Sequence, residues 1–246
     1  MAPRGKFIVI EGIDGSGKRT QMEMLARALT EHGVEFTELS FPRYGGFFGD
    51  MVAQFLNGEF GSLETVDPHF SALLYAGDRL DAKPVIEGAL EVGHTVLADR
   101  YIGSNLAHQG ARVPRARRRE FLAWLKKLEY EVYALPAEDL VIYLRLPAGE
   151  AHRMVGKKAA RKYTTRRRDI LEASIAHLKI ASEVYDQLAK QRNWVTIECA
   201  AKEPERVRGR RAAAKVAGVA LRSPEAIHRD IMAAIKERAL AEARAS

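Results

Sequence analysis

The chain has 246 residues and a net charge of +7, and its 47% hydrophobic and 29% charged residues are ordinary for a globular protein with a core. Its single cysteine, Cys199, excludes an internal disulfide and suits a reducing compartment. No apolar run reaches the roughly 18–20 residues that span a bilayer, and the first residues lack the pattern of a signal peptide. We therefore expect a soluble, cytoplasmic protein without membrane contact.

A phosphate-binding motif stands near the start of the chain. The first predicted strand, about Lys6–Glu11, leads into a glycine-rich turn and then a helix over about Lys18–His32. This stretch fits the P-loop pattern G-x-x-x-x-G-K in its required strand–turn–helix context. Glycine lets backbone N–H groups turn towards a phosphate, and the helix N-terminus adds its positive dipole end. The pattern predicts a nucleoside triphosphate site made of Gly12, Ile13, Asp14, Gly15, Ser16, Gly17, Lys18, Arg19 and Thr20.

One position departs from the usual pattern. The residue after the P-loop lysine is commonly Ser or Thr, whose hydroxyl binds Mg²⁺, whereas here it is Arg19, with Thr20 following. One residue is about 100° around a helix, so Thr20 does not take over that position. Two possibilities stay open: the metal is held by carboxylates, substrate phosphates and water, or Arg19 contributes charge of its own.

The second predicted strand, about Val34–Leu39, ends close to Phe41-Pro42-Arg43. Pro42 stiffens this turn and so fixes the direction of the Arg43 side chain. A guanidinium that faces the P-loop can hold a phosphate through two parallel hydrogen bonds. Aromatic–proline bonds can be cis, and we expect a cis Phe41–Pro42 bond. Residues 45–60 are predicted to form a short helix and a loop.

A long helix is predicted to begin at Asp67-Pro68, with Asp as N-cap and Pro in the first turn, and to run to about Val92. Pro84 predicts a break or kink within it. Four residues define the predicted buried side of this helix, namely Phe70, Leu73, Leu74 and Gly77.

Tyr75 and Arg79 share a face of this helix, because they are one turn apart. Counting about 100° per residue places that face opposite the apolar stripe. A tyrosine ring with an arginine one turn further suits a planar base, since the ring offers a stacking surface and the guanidinium a donor to a carbonyl. Core packing is the alternative for Tyr75.

The third predicted strand, Thr95–Ala98, ends at Asp99-Arg100. In P-loop proteins a carboxylate at such a strand end commonly reaches the metal, directly or through water. Capping the next helix is an equal alternative for Asp99. Arg100 has a charge role if the site holds two phosphorylated ligands, and otherwise forms a surface salt bridge.

The rest of the chain continues the alternation of strands and helices. It predicts an α/β, three-layer P-loop fold with a five-stranded parallel sheet and helices on both faces. Ligands of such sheets bind at the carboxyl ends of the strands, where the three motifs converge. The remaining predicted elements are helices near 101–109 and 115–132, strand Leu140–Leu146, helix Gly149–Val155, helix Asp169–Lys190, strand Asn193–Glu198 and a last helix from Ser223-Pro224 to about Ala243.

Basic residues concentrate at Arg115–Arg119, Lys157–Arg168 and Arg206–Lys215. None of these stretches has the interleaved aromatics of a single-strand binding platform, so nucleic acid is not the expected partner. A basic loop over about 156–168 can instead close over phosphates, exclude water and stabilise the transferring group; a solvated charge run is the alternative. The candidate lid residues are Arg161, Lys162, Arg166, Arg167 and Arg168.

These marks together resemble the thymidylate kinase family, through most of residues 6–199. Very many proteins share the P-loop, but the Phe-Pro-Arg and Asp-Arg-Tyr marks together are far more selective. The matching stretches are Glu11–Lys18, Phe41–Tyr44, Leu74–Arg79 and Asp99–Asn105, and the run from Arg161 to Glu172 is similar to the family's lid and following helix.

The resemblance implies a single P-loop kinase domain over residues 1–246 that transfers the γ-phosphate of ATP to dTMP, giving dTDP, with Mg²⁺ accompanying ATP. It also implies a homodimer. Lys18 and the P-loop amides would hold ATP, and Arg43 would hold the dTMP phosphate. Tyr75 would stack on thymine, and Arg79 would reach its carbonyl edge.

The resemblance also implies the acceptor side of the site. Asp14 would touch the 3′-hydroxyl or the metal, for which Asp99 is the other candidate. This P-loop lacks the arginine that some members carry between the glycines, so a lid arginine, Arg161 or one of Arg166–Arg168, is expected to act on the phosphates. The acceptor side would be lined by Asp14, Phe41, Arg100, Ser104, Asn105, Gln109 and His108, the last of which stands where many members have tyrosine near the sugar. The candidate catalytic residues are Lys18, Asp14, Arg43, Arg100, Arg161 and Arg166.

Residues 201–222 lie outside the resemblance and are predicted to be a basic insertion before the C-terminal helix, about 223–243. Two other functions are kept as alternatives. The first is a kinase of another pyrimidine nucleoside or nucleoside monophosphate. The second is a nucleotide-dependent nucleic-acid-binding protein, in which a second phosphate site at Arg43 has no purpose.

Overall fold

The computed structural model describes residues 3–155, 171, 174–201 and 220–243. Within them, five parallel strands form one sheet in the order β2-β3-β1-β4-β5. All residues of the central strand β1 are buried, as expected of a strand covered on both faces. All five predicted strands are confirmed, as β1 (Phe7–Glu11), β2 (Phe36–Ser40), β3 (Thr95–Asp99), β4 (Leu140–Arg145) and β5 (Trp194–Glu198).

Helices surround this sheet in two packed groups. Helices α1 and α8 contact each other and the sheet, while α3, α4, α5 and α7 are joined by contacts of α4 with each of the other three. The predicted α/β fold is therefore confirmed. The helices are α1 (Lys18–Glu31), α2 (Phe47–Asn57), α3 (Pro68–Glu91), α4 (Ile102–Gly110), α5 (Arg115–Lys126), α6 (Ala148–Val155), α7 (Ile175–Leu188) and α8 (Pro224–Ala243). None of the described helices is both long and apolar enough to cross a membrane.

Three helices differ from the sequence prediction. Helix α7 begins at Ile175 and not at Asp169, because Ser174 caps it by accepting a hydrogen bond from the His177 N–H. The helix predicted over 115–132 is α-helical only to Lys126 and continues as a π-helical turn over Lys127–Val132. Helix α3 is continuous through Pro84, so of the predicted break or kink the break is absent.

The predicted buried stripe of α3 is partly wrong. Leu74 and Gly77 are buried as predicted, but Phe70 and Leu73 are 41% and 39% exposed. The buried side instead carries small and charged residues, including Ala72, Ala76 and Arg79. A periodicity argument assumes that the buried side of a helix carries apolar side chains. It fails on this helix because the buried side includes an arginine that is paired with a carboxylate.

Candidate active site

The P-loop joins the carboxyl end of β1 to α1, and its backbone requires glycine. Gly12, Gly15 and Gly17 have φ values of +146°, +91° and +92°, which side chains with a Cβ rarely adopt. A Cβ on Gly15 would lie 2.4 Å from the Ala151 carbonyl oxygen. The loop thus forms a tight turn that ends at the N-terminus of α1, as an anion site requires.

The lysine of the motif is already placed at this loop. Lys18 is buried, and its Nζ donates to the carbonyl oxygens of Gly12 at 2.9 Å and Ile13 at 3.2 Å. The Arg19 side chain is 87% exposed and its Nε donates to Glu23 at 2.9 Å, and Thr20 is exposed. The structure therefore does not bring the Arg19 guanidinium to the P-loop.

Arg43 lies where β2 ends, after a Phe41–Pro42 bond that is cis as predicted. Its backbone N–H donates to one Asp78 carboxylate oxygen at 2.8 Å and its Nε to the other at 3.1 Å. Its Nη2 donates to Asp81. Since Asp78 is itself buried on α3, Arg43 is held by a fixed carboxylate rather than left in solvent. Phe41 is buried and packs against the Tyr101 ring.

Arg100 connects the P-loop to helix α4. Its Nη2 donates to Asp14 at 2.6 Å, and its Nη1 donates to the Gly12 carbonyl oxygen at 3.3 Å and to the Ser104 hydroxyl at 2.9 Å. The same Nη1 lies 3.4 Å from His108 Nε2. Four of the residues predicted from the sequence, Asp14, Arg100, Ser104 and His108, are thus brought together in one hydrogen-bonded group.

A buried carboxylate that sequence reasoning missed organises this group. Glu11 is fully buried and accepts hydrogen bonds from the N–H groups of Tyr101 and Ser104, from the Ser104 hydroxyl, and from Tyr185. Burial, with Glu11 nearby, raises the pKa of Tyr185 well above its usual value, so its hydroxyl stays a donor. The signal in the sequence was a glutamate ending an otherwise apolar strand.

Arg79 does not lie on the open face that the angular count predicted. It is 1% exposed and pairs with Glu129, its Nε and Nη2 donating to the two carboxylate oxygens at 2.5 and 2.6 Å. Its Nη1 makes no hydrogen bond among the described residues. Glu129 has no counterpart in the sequence prediction, because it comes from the π-helical turn 50 residues further along the chain.

Asn105 and Gln109 are one turn apart on α4 and present unmatched amide atoms. Asn105 Nδ2 donates to Glu129 at 2.8 Å and to the Ala72 carbonyl oxygen at 3.0 Å, which fixes the orientation of the amide. Gln109 Oε1 accepts from Ser71 at 2.8 Å and from Arg112. Asn105 Oδ1 and Gln109 Nε2 are therefore buried without a partner among the described residues, a state that polar atoms avoid unless a ligand or an ordered water completes it.

The ring of Tyr75 is half-buried on α3. It packs edge-on against Phe55 of α2, with ring centroids 6.4 Å apart, beside a small apolar cluster that includes Val52 and Leu74. The sequence leaves two roles for Tyr75, core packing or a stacking surface for a base. The contact with Phe55 holds the orientation of the ring, which is compatible with either role.

The carboxylates of this site can serve a hard cation. Asp99 Oδ1 is buried and has no hydrogen-bond partner in the part of the chain that is described, and the Asp14 carboxylate stands at the P-loop beside Arg100. Oxygen donors suit Mg²⁺, which commonly takes one or two carboxylates and completes its shell with phosphates and water. Over the described ranges, no group of three or more His, Cys, Asp or Glu is placed to hold a metal by protein ligands alone.

The predicted lid lies outside the described residues, with all its candidate side chains: Arg161, Lys162, Arg166, Arg167 and Arg168. Most of the predicted insertion, residues 202–219, lies outside them as well. Beyond it, Leu221 forms an isolated antiparallel bridge with Ala200, and α8 follows.

Comparison with known proteins agrees with this geometry. The family model described as Thymidylate kinase matches residues 10–210. The thymidylate kinase of Mycobacterium tuberculosis (strain H37Rv) is 35% identical over 186 residues, which cover 75% of this chain and 86% of that protein. A probable thymidylate kinase of Pyrococcus abyssi is 38% identical over 156 residues, covering 61% of this chain and 69% of that protein.

Among solved structures, the thymidylate kinase of Candida albicans superposes with a TM-score of 0.63 and 21% identity, over 80% of this chain and 85% of that one. This likeness concerns the fold, whereas the range that the family model matches includes the P-loop, the Arg43 turn and the Arg100 turn. With the family model spanning most of its length, the chain belongs to the thymidylate kinase family and is a phosphotransferase of that family.

Proposed function

We propose that this enzyme transfers the γ-phosphate of ATP to dTMP, giving dTDP and ADP. Lys18 and the P-loop amides hold ATP, and Arg43 holds the dTMP phosphate. Arg100 links the ATP loop to the acceptor side, since it contacts Gly12 and Asp14 of the P-loop and Ser104 of α4. Phosphoryl transfer asks little covalent chemistry of a protein, so positioning two phosphates and neutralising their charge is the main task of these cations.

The pair of unmatched amide atoms on α4 is the observation that carries the choice of a pyrimidine. The N3–H of thymine is a donor and the carbonyls beside it are acceptors. Asn105 Oδ1 is an acceptor and Gln109 Nε2 a donor, so together they complement this edge. Glu129 holds the Arg79 fork and leaves Nη1 for a carbonyl of the base, while Tyr75 offers its ring for stacking.

Mg²⁺ is proposed as the companion of ATP, held by Asp99, by Asp14, or by both, with phosphate oxygens and water. When bound, it neutralises charge on the transferring phosphates. The lid arginines, Arg161 or one of Arg166–Arg168, are proposed to act on the same phosphates. A cytoplasmic location stays a prediction.

A coupled assay of ADP release with four acceptors tests the function. We expect dTMP to be the best acceptor, dUMP to be used less well, and CMP and AMP to stay near background. CMP should fail because cytosine has no N3–H for Asn105 Oδ1, which leaves that buried acceptor unpaired. Faster turnover of CMP or AMP would assign the chain to another nucleoside monophosphate. A rate of ADP release that does not depend on dTMP, together with salt-sensitive DNA binding, would favour the nucleic-acid alternative.

Arg43→Ala is expected to raise the KM for dTMP by about 10- to 100-fold, because it removes a charged, two-pronged contact to the acceptor phosphate. The KM for ATP should change by less than about twofold, since the P-loop binds ATP without Arg43. Steady-state kinetics with each substrate varied in turn measures both constants. Arg4→Ala is the matched control, because Arg4 is a half-exposed arginine paired with Asp139 next to the opposite ends of the strands. Equal changes in the two KM values would refute the role given to Arg43.

A homodimer is proposed through the outer face of α3. Phe70, Leu73 and Leu80 recur on one side of this helix and are each 37–41% exposed, and Phe60 packs edge-on against Phe70. A row of exposed apolar side chains on a long helix suits a self-complementary interface. Leu80→Glu is therefore expected to convert a particle of twice the chain mass into a monomer in sedimentation equilibrium, whereas Glu91→Gln near the end of the helix should not. A wild-type monomer at micromolar concentration would refute this interface.

A further inference from the structure

Arg100 is held in an unusual backbone conformation. Its φ is +69°, which is uncommon for a residue with a side chain, and its N–H donates to the Ile10 carbonyl oxygen at 2.9 Å. This conformation turns the side chain back over the P-loop, where Asp14 takes one end of the guanidinium. The other end, Nη1, meets Gly12, Ser104 and His108. The position of Arg100 thus depends on what these neighbours can accept.

The guanidinium settles which nitrogen of His108 carries a proton. Arginine only donates hydrogen bonds, so His108 Nε2, 3.4 Å from Nη1, must be the acceptor. A neutral imidazole that accepts at Nε2 carries its proton on Nδ1. His108 Nδ1 lies 3.3 Å from His177 Nε2 and therefore donates to it. His177 must accept at Nε2 and carry its own proton on Nδ1.

His177 is placed for this contact by the start of α7. Ser174 caps the helix on the His177 N–H, at 3.1 Å, and the side chain of His177 is directed inwards. The two imidazoles are both 6% exposed and nearly parallel, with centroids 5.6 Å apart and planes inclined by 29°. The Tyr185 ring meets His108 edge-on from the next turns of α7.

The surroundings keep both rings uncharged. Burial, together with Arg100, His177 and Lys18, lowers the pKa of His108 well below its usual value, and Asp14 opposes this only in part. Burial, with Arg112 adding to it and Asp14 opposing it, lowers the pKa of His177 to about 4. If His108 were protonated, its Nε2–H would face Nη1 of Arg100, so that two donors would meet without an acceptor between them.

We propose that His108 and His177 form a neutral two-imidazole relay that positions the Arg100 guanidinium over the P-loop, with His177 as its terminal acceptor. His177 is a positioning residue, because it acts through His108. This inference rests on the proposed function only where Arg100 is given a part in phosphoryl transfer. For two neutral rings, the tautomers follow from the hydrogen-bond geometry.

The tautomers are measured directly by long-range ¹⁵N–¹H correlation spectra of the histidine-labelled full chain at pH 7.5, with His108→Gln and His177→Gln spectra used for assignment. We expect the proton on Nδ1 in both rings. A proton on Nε2 of His108 would overturn the relay, whatever the enzyme's activity. This measurement needs no variant to keep its activity, so it also stands if the proposed reaction fails.

A pair of substitutions tests the effect on catalysis. His177→Gln keeps an acceptor for His108, whereas His177→Leu fills similar space without one. We expect His177→Leu to leave His108 free to adopt either neutral tautomer. The variant should also lower kcat/KM for dTMP by about threefold to tenfold, the effect of one lost hydrogen bond. His177→Gln should retain the tautomer and most of kcat/KM. Equal tautomer populations and equal kinetics in the two variants, at matched thermal stability, would overturn the proposal.

The charge state gives a readout that does not involve activity. A histidine in the unfolded chain titrates near pH 6.5, whereas the pKa of His177 in the fold is about 4. As the pH falls through this window, the unfolded chain binds the proton first, so the folded wild type loses stability. His177→Gln lacks this loss, and its unfolding free energy relative to wild type should rise from pH 7 to pH 5. A constant difference would contradict a relay that is held neutral.

Discussion

Replacing Lys18 with alanine is expected to lower kcat by about 100- to 1000-fold, the cost of removing one preplaced group that stabilises charge in the transition state. The Lys18 ammonium is buried at the P-loop, held by the carbonyl oxygens of Gly12 and Ile13. It therefore meets the ATP phosphates without first being ordered. This charge is held away from bulk solvent, since Lys18 is buried.

Single-turnover and steady-state rates of the Lys18→Ala enzyme measure this effect, with circular dichroism to confirm the fold. Lys126→Ala is the control, because Lys126 lies on α5, away from the P-loop, and its side chain makes a single hydrogen bond within the described ranges, to Gln191 at 3.5 Å. A kcat within tenfold of wild type would mean that the P-loop lysine does not act on the transferring phosphate.

Replacing Glu129 with alanine is expected to destabilise the fold by about 3–5 kcal/mol, the cost of breaking a buried ion pair by removing one partner. The side chains of Arg79 and Glu129 are 2% and 0% exposed. Without Glu129, the guanidinium stays inside the protein without its counter-charge, and Asn105 Nδ2 loses an acceptor. The damage thus combines an unpaired charge with a disturbed base site.

Urea unfolding at one fixed protein concentration measures this loss, since a dimer's stability depends on concentration. Glu131→Ala is the control, because Glu131 lies on the same π-helical turn and is exposed. The double variant Arg79→Leu/Glu129→Leu should recover part of the stability, since it removes both charges together. A loss below about 1 kcal/mol for Glu129→Ala would show that water reaches Arg79 and screens its charge.

Local sequence patterns were sufficient to predict the elements that form the edge of the sheet where the candidate active site lies. The five strands, the P-loop turn and the turn at Arg43 depend on short runs of apolar residues, glycine and proline, whose conformational preferences act over a few residues. The sequence pattern places the start of α7 too early, at Asp169. The helical pattern begins there, whereas the serine cap at Ser174 sets the start of the helix.

The partners of the site residues came only from the tertiary structure. Arg79 finds Glu129 across 50 residues, His108 finds His177 across 69, and Tyr185 reaches Glu11 across 174. An angular count on α3 treated Arg79 as a surface residue, since a lone helix carries no information about a carboxylate that another element supplies.

The sequence by itself determined the parallel sheet, the phosphate-binding loop and the family, because these follow from local backbone preferences and from motifs that are contiguous in the chain. Only the tertiary structure decided which charges are buried, which amide atoms stay unmatched and which histidine tautomers are possible. Burying a polar group is favourable only when a partner meets it, and chain folding brings these partners from distant elements.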